Sequence, residues 1–308
     1  MTAPIVLFVY NRPDHTLKTL DALSSNIHAD QSELIVFADG PRADASDATL
    51  QVIEETRKLF QKKFRFRKIT LEFSEKNQGC SHSLYRGISK VLTTYENAII
   101  VEDDIHTSPY FLKYCNQALE HFNDVPEVMT ISAYSYPFET QMNQTYFLST
   151  GAAWGWATWS RAWKHYRSDV NSLLNEISSN GQKTEFNFNK SLDFFKMLEQ
   201  QRDGEIDTWD VQWYASIFLR KGLTLYPAKS LTVNFGQDGS GTHYSTPGTS
   251  KRIQDQILSM SEHAENYIYP GNLTEHSIAR KSLEDYFRSL SGPGKIQRIQ
   301  NILKKLIH

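Results

Sequence analysis

Hydrophobic and polar positions follow two different periods along the first half of the chain. Short, nearly unbroken apolar runs are typical of strands in a parallel sheet that is covered on both faces. Between them, apolar residues recur every three to four positions, which predicts helices beginning at Pro13 and after a cap at Ser46, and a third with Leu84 and Ile88 on one face. The predicted strands are Ile5–Tyr10, Leu34–Ala38, Ile69–Phe73, Ala98–Val101 and Val128–Ser132.

This alternation predicts an α/β fold, in which a mostly parallel, Rossmann-like sheet is flanked by helices and linked by right-handed crossovers. The composition changes near Tyr134, after which Trp, Gly and Ser become more frequent. We therefore divide the chain into the segments 1–133, 134–250 and 251–308, and we expect the last to be a C-terminal helical extension.

In sheets of this kind ligands bind outside the carboxyl ends of the strands, so the residues that follow each strand are the first candidates for a site. After the first four predicted strands these residues are polar or acidic. The motifs are Asn11-Arg12, Asp39-Gly40-Pro41-Arg42, Asn77-Gln78-Gly79 and Glu102-Asp103-Asp104. The sequence therefore predicts that a nucleotide and a cation bind at this edge of the sheet.

Glu102, Asp103 and Asp104 form a row of three carboxylates at the end of an apolar strand. Adjacent like charges repel, and burying them costs free energy unless a cation or hydrogen-bond donors compensate. Mg²⁺ or Mn²⁺ would compensate, with one or two carboxylates, phosphate oxygens and waters as its ligands. The alternative is a solvated acidic turn before a helix that begins at Ser108, and the triplet alone leaves both interpretations open.

Several other residues have a functional and a structural interpretation. Asp39 would accept hydrogen bonds from a ribose or a base, or open a turn. Arg12 and Arg86 would bind phosphate in a bidentate manner, or lie solvated at the surface. Trp154 would stack on a sugar or lie in the core. His243, in a Gly/Ser-rich loop, would bind a metal or a diphosphate, or have no role.

The segment Asp207–Trp213 contains a candidate general base. Trp209 and Trp213 are four residues apart and share a face of a helix, so Asp210 lies beside apolar rings. A partly apolar environment raises the pKa of a carboxyl group, which favours proton abstraction from a sugar hydroxyl. The alternative is that Asp210 only stabilises the dipole at the start of a helix.

Composition narrows the functional classes. The 308 residues include 33 basic and 35 acidic side chains, and a net charge of −2 gives no electrostatic argument for a nucleic-acid partner. The sequence has no apolar run of the roughly 18 to 20 residues that a membrane span needs, and its start lacks the basic region of a signal peptide, so we expect a cytoplasmic protein.

The pattern of segment 295–308 predicts a basic amphipathic helix. This helix either packs on its own domain or contacts the cytoplasmic face of the membrane peripherally.

The order of the motifs resembles that of the GT-A glycosyltransferases, and more closely that of the N-acetylglucosaminyltransferase I type. After the Asn-Arg-Pro segment and the aspartate of the second strand, the shared features are the acidic motif at 102–104, a Gly/Trp-rich segment at 151–159, a Trp-Asp pair at 209–210 and a Gly/Ser-rich loop at 235–243. The similarity covers about residues 4 to 245.

The resemblance implies an inverting transferase with a UDP-sugar donor, GlcNAc or a related hexose, and bound Mn²⁺ or Mg²⁺. It implies that Asp104 is the metal ligand, that Glu102 and Asp103 support it and contact the ribose, that Asp39 meets the uracil, and that Asp210 is the catalytic base. Further candidates for contacts to the nucleotide sugar are Asn11, Arg12, Arg86, Trp154 and His243.

In this interpretation, segment 1–133 binds the nucleotide sugar, and segment 134–250 binds the acceptor and carries the catalytic base. The acceptor is expected to be a glycan or a lipid-linked saccharide in surface-polysaccharide assembly. Three alternatives stay open: a retaining GT-A enzyme, a non-catalytic carbohydrate-binding protein, and a nucleotidyltransferase. The last would need a Gly-rich phosphate loop after the first strand, where this chain has Asn11-Arg12-Pro13.

Overall fold

The computed structural model describes residues 2–137, 142–236 and 267–290, together with positions 254, 256–258 and 260. Its centre is an eight-stranded sheet, and a separate two-stranded ribbon lies beside it. The sheet contains β1 (Ile5–Val9), β2 (Glu33–Ala38), β3 (Lys68–Phe73), β4 (Asn97–Glu102), β6 (Val128–Ser132), β7 (Tyr146–Leu148), β8 (Trp156–Trp159) and β9 (Leu223–Tyr226), and the ribbon pairs β5 (Ile105–Thr107) with β10 (Thr232–Asn234).

The first two helices begin at start signals in the local sequence. Pro13 stands at the first position of the first helix, and the Ser46 hydroxyl accepts a hydrogen bond from the Thr49 N–H at the start of the second. Among the described residues, the helices are too short or too polar to cross a bilayer. They are α1 (Pro13–Ser24), α2 (Asp47–Lys58), α3 (Cys80–Leu92), α4 (Phe111–His121), α5 (Ser160–Trp163), α6 (Val170–Ser179), α7 (Lys183–Phe186), α8 (Phe194–Arg202), α9 (Asp210–Leu219) and α10 (Ser277–Leu290).

The strand order is β3-β2-β1-β4-β8-β6-β9-β7. Strands β7 and β8 run antiparallel to the other strands of the sheet, all of which share one direction. This arrangement confirms the predicted α/β class with a mostly parallel sheet flanked by helices. Strand β8 was not predicted; it lies between β4 and β6 and is hydrogen-bonded to both.

Both faces of the sheet are covered, which explains the unbroken apolar runs in the sequence. Along β1, Ile5 and Leu7 point to a cluster with α1 and α4, whereas Val6 and Phe8 point to a cluster with α3, α5 and α9. A third cluster joins α6–α9 with α10, whose residue Leu283 is fully buried.

Trp156 of β8 fixes the start of α9 against the sheet. Its indole stacks on Trp209 with ring centres 5.1 Å apart and contacts Trp213 at 6.4 Å. Trp209 and Trp213 therefore share a face, as the sequence predicts. Because β8 is paired with β4, this contact brings the first residue of α9, Asp210, towards the end of β4.

Candidate active site

The carboxyl ends of β1 and β4 are joined by an ion pair. Arg12, which directly precedes α1, donates from Nε to Asp103 Oδ2 at 3.3 Å, and its Nη2 donates to Asp103 Oδ1 and to Asp104 Oδ2, the latter at 3.1 Å. Burial acts to lower the pKa of Arg12, but the charges of Asp103 and Asp104 outweigh it and raise that pKa. Arg12, a predicted phosphate contact, thus has two carboxylate partners, while Asn11 lies half-buried beside it.

The acidic cluster places three carboxyl groups, Glu102, Asp103 and Asp104, beside the single positive charge of Arg12. Burial raises the pKa of Glu102 well above its ordinary value, and the charges of Asp104, Asp103 and Asp210 add to this effect. Burial also raises the pKa of Asp103, against the opposing influence of Arg12. A further positive charge placed here would therefore be stabilised.

Asp104 lies against the start of the segment that follows β10. The Phe235 N–H donates to the Asp104 carbonyl oxygen at 3.0 Å, and Asn234 Nδ2 lies 3.5 Å from Asp104 Oδ1. A Cβ atom added to Gly236 would overlap with Asp104 Oδ2, so only glycine permits this approach. His243 lies outside the described residues, as does segment 295–308.

Asp39 links the end of β2 to the loop before α3. Its carboxylate accepts hydrogen bonds from the N–H groups of Gly40 at 2.8 Å and Gln78 at 2.9 Å, and from Asn77 Nδ2 at 3.0 Å. Burial raises the pKa of Asp39, although these backbone hydrogen bonds act in the opposite direction. The exposed Arg86 of α3 donates to Gln78 Oε1 at 3.2 Å. Asp39 and Arg86, both predicted to contact the nucleotide, therefore border the same loop before α3.

Asp210 is the first residue of α9, as one interpretation of the sequence predicts. It also lies directly after the buried ring of Trp209, as the other interpretation predicts. Its Oδ1 accepts hydrogen bonds from the Thr208 hydroxyl and from the Val211 N–H, the second at 2.7 Å. Burial raises its pKa despite these hydrogen bonds. Asp210 is also close enough to Glu102 for its charge to raise the pKa of Glu102. A carboxyl group with a raised pKa thus lies near the acidic end of β4.

Asp207 is a residue of this region whose position the sequence did not reveal. Its Oδ2 lies 3.4 Å from the Ser81 N–H in the first turn of α3. A Cβ atom on Gly79, where φ is 80°, would come within 2.9 Å of the same oxygen. The carboxylate therefore binds the positive end of α3 and ties the loop that carries Asp210 to it.

Trp154 is half-buried and belongs to an aromatic group near Asp210. Its ring packs edge-to-face on Tyr134 with centres 4.6 Å apart, and Tyr134 packs in the same way on Tyr136 at 5.3 Å. Burial raises the pKa of Tyr136, and the nearby charge of Asp210 contributes to that shift. The two tyrosines were missed because their contribution depends on the packing of separate loops rather than on a local motif.

A mostly parallel sheet with acidic groups and an arginine at its strand ends is the arrangement of α/β proteins that bind ligands at this edge. The sequence model of glycosyltransferase family 25, described as LPS biosynthesis protein, matches residues 11–184, more than half of the chain. The chain belongs to glycosyltransferase family 25. This membership confirms the predicted transferase class, whereas the match does not extend to the N-acetylglucosaminyltransferase I type.

Solved structures match the chain at low sequence identity and with TM-scores below 0.5. S. aureus TarS is 12% identical with a TM-score of 0.44; the alignment covers 86% of this chain but only 41% of the TarS chain. The mannosyltransferase PcManGT from Pyrobaculum calidifontis, in complex with GDP-Man and Mn²⁺, is 10% identical with a TM-score of 0.38, covering 99% of this chain and 85% of that chain. No curated protein matches the sequence significantly.

Proposed function

We propose that the protein is a metal-dependent, inverting glycosyltransferase. It transfers a hexose, GlcNAc or a related sugar, from a UDP-sugar to a hydroxyl of a glycan or a lipid-linked saccharide. The observation that supports this most is the placement of Asp210 at the start of α9, which the stacking of Trp209 on Trp156 of β8 brings towards the acidic end of β4. The family description as LPS biosynthesis protein supports a surface-polysaccharide acceptor.

The residues at the end of β4 fit a divalent cation. Carboxylate oxygens are the ligands that Mg²⁺ and Mn²⁺ prefer, and a cation would offset the cost of burying Glu102 and Asp103 in their charged forms. In the described parts of the chain, no three His, Cys, Asp or Glu side chains are grouped to hold an ion by themselves. As the motif resemblance implies, Asp104 would be the protein ligand, and diphosphate oxygens and waters would complete the coordination. When bound, the cation would stabilise the charge on the departing diphosphate.

The chain's own residues would perform the remaining steps. Asp210 would remove the proton from an acceptor hydroxyl that lies in line behind the anomeric carbon, and a single displacement of this kind inverts the configuration. The hydrogen bonds from Thr208 and Val211 hold Asp210 Oδ1 in place, which leaves the carboxylate in one orientation. Arg12 would keep Asp103 and Asp104 in position beneath the diphosphate.

On the donor side, Asp39 would accept a hydrogen bond from the uracil while it holds the loop at Asn77 and Gln78. Arg86 borders that loop and would contact the nucleotide from the exposed side. Trp154 and Tyr134 would present an aromatic surface to the sugar, because an aromatic ring packs well against the apolar face of a pyranose.

The function is tested by thermal unfolding of the protein with a panel of nucleotide sugars, each with and without Mn²⁺. We expect stabilisation by a UDP-sugar that depends on Mn²⁺, followed by transfer to a saccharide acceptor with inversion, read from the anomeric signals in the NMR spectrum of the product. Retention would contradict the single displacement. Crystals soaked with Mn²⁺ and UDP that show neither at Asp104 would contradict the donor site.

A further inference from the structure

A cavity of about 410 Å³ lies beside the first turn of α3. Residues of α3, of the connection between α5 and α6, of the first turn of α6, of the end of α8 and of α9 line it. Its volume lies within the range of small-ligand sites. The lining residues are distinct from the strand-end residues of the donor site, although Ser81 of the lining is bonded through its N–H to Asp207.

One wall of the cavity is aromatic and held in place by hydrogen bonds. Tyr85 is 36% exposed and stacks on Tyr166 with ring centres 5.1 Å apart. The Tyr166 hydroxyl donates to Gln212 Oε1 at 3.0 Å, and Gln212 Nε2 donates to the Ser168 carbonyl oxygen at 3.1 Å. The wall is therefore already ordered before any ligand binds, which lowers the entropic cost of binding.

The rest of the lining offers neutral hydrogen-bonding groups. Asn171 carries an exposed amide, and the amide of Gln201 adds two N–H donors. The lining also contains two charged side chains. Arg202 is paired with Asp203 at 2.7 Å, whereas Asp169 caps α6 by accepting from the Ser172 N–H at 3.2 Å. An aromatic face with neutral donors and acceptors fits an uncharged saccharide better than a phosphate group.

The cavity is connected to the candidate base through two hydrogen bonds. Gln201 Oε1 accepts from the Thr208 N–H at 2.7 Å, and the Thr208 hydroxyl donates to Asp210 Oδ1. A ligand that orders Gln201 would therefore also order the residue that holds Asp210. The cavity is thus linked to the residue that we assign to the acceptor hydroxyl.

We propose that this cavity is a saccharide subsite that binds a neutral sugar unit of the acceptor, away from the hydroxyl that reacts. The inference rests on the proposed function, because it assumes that the acceptor is a glycan of more than one unit. Tyr85 stacks on the apolar face of that unit, and Asn171 and Gln201 hydrogen-bond its hydroxyls.

The test uses maltose, lactose and chitobiose as probes, with binding measured by saturation-transfer NMR and titration on the whole protein without UDP or metal. We expect at least one disaccharide to bind the wild type, and Tyr85→Ala to weaken that binding about tenfold through loss of the stacking contact. Asn171→Ala, at an exposed position that folding tolerates, is expected to weaken it as well. Phe73→Ala, which removes an exposed ring from β3 outside the cavity, is the matched control.

Asp104→Ala separates this inference from the proposed function, because it removes the donor site and leaves the cavity intact. We expect it to lose UDP binding and keep disaccharide binding. The inference is overturned if none of the three disaccharides binds, or if Tyr85→Ala and Asn171→Ala bind the probe as the wild type does. UDP binding that survives in Asp104→Ala would instead count against the donor site alone.

Discussion

Arg12 and Asp103 form a bidentate ion pair that joins the carboxyl ends of β1 and β4. Side-chain exposure is 28% for Arg12 and 6% for Asp103, so the carboxylate has little access to water. Asp103 therefore depends on Arg12 for compensation of its charge.

Arg12→Met should destabilise the fold by about 3 kcal/mol, because removing one partner of a buried pair leaves the other charge unpaired. Unfolding in urea measures this change, and Arg42→Met, at an exposed position after β2, is the control. A second substitution, Asp103→Asn, should restore part of the loss. An unchanged unfolding free energy in Arg12→Met would show that the pair has no stabilising role.

Asp104→Ala should abolish Mn²⁺-dependent binding of UDP, since the change removes the carboxylate that we assign to the cation. Calorimetric titration of UDP with and without Mn²⁺ measures the effect. Asp30→Ala removes an exposed carboxylate before β2, at the opposite end of the strands, and should bind UDP normally. Equal affinities of Asp104→Ala and Asp30→Ala would refute the assignment.

Gly236→Ala should also weaken UDP binding, although it removes no functional group. The added methyl group would overlap with Asp104 Oδ2, and relief of this overlap displaces the carboxylate. Gly271→Ala is the matched control, because a Cβ atom there meets no described atom within 4 Å. The same titration compares the two, and an affinity like that of the wild type in Gly236→Ala would contradict the expectation.

Asp210→Asn should leave donor binding intact and lower turnover by about 10²- to 10⁴-fold, the contribution of a positioned general base. Because burial raises the pKa of Asp210, wild-type turnover should fall as the pH drops through a value above that of an ordinary carboxyl group. The variant should lack this limb of the pH profile. Near-normal transfer by Asp210→Asn would exclude Asp210 as the base.

The same variant should be more stable than the wild type at neutral pH. A carboxyl group whose pKa is raised on folding stabilises the fold below the unfolded-state pKa of about 3.9, and this contribution is lost as the pH rises through the folded-state pKa. The side-chain amide oxygen of the variant still accepts from Thr208 and Val211. Melting temperatures across this pH range should therefore diverge as the pH rises, and a constant difference would contradict the mechanism.

The first half of the fold follows from local patterns. The predicted strands Leu34–Ala38 and Ile69–Phe73 agree to within one residue with Glu33–Ala38 and Lys68–Phe73. The predicted helix starts at Pro13 and after Ser46 also agree. Such agreement is expected where a segment has one dominant periodicity, as in the buried strand β2 and in the partly exposed edge strand β3.

Strand β8 could not be predicted in this way. Its four residues, Trp156–Trp159, lie in a Gly/Trp-rich segment, and they form a strand only because β4 and β6 offer hydrogen-bonding edges on either side. Contacts within the site that join distant parts of the sequence could not be predicted either. The strand-end motifs were visible, whereas the pairing of Arg12 with Asp103 joins residues that are 91 positions apart.

The position of β8 also restricts how the two halves of the molecule can move. It pairs with β4 through four residue positions, Asn97–Ile100, and with β6 through three, Thr130–Ser132. A hinge between the halves would have to break one of these ladders in the middle of the sheet. We therefore expect the spacing between the acidic end of β4 and Asp210 to stay constant, because Trp156 of β8 packs on Trp209 directly before α9.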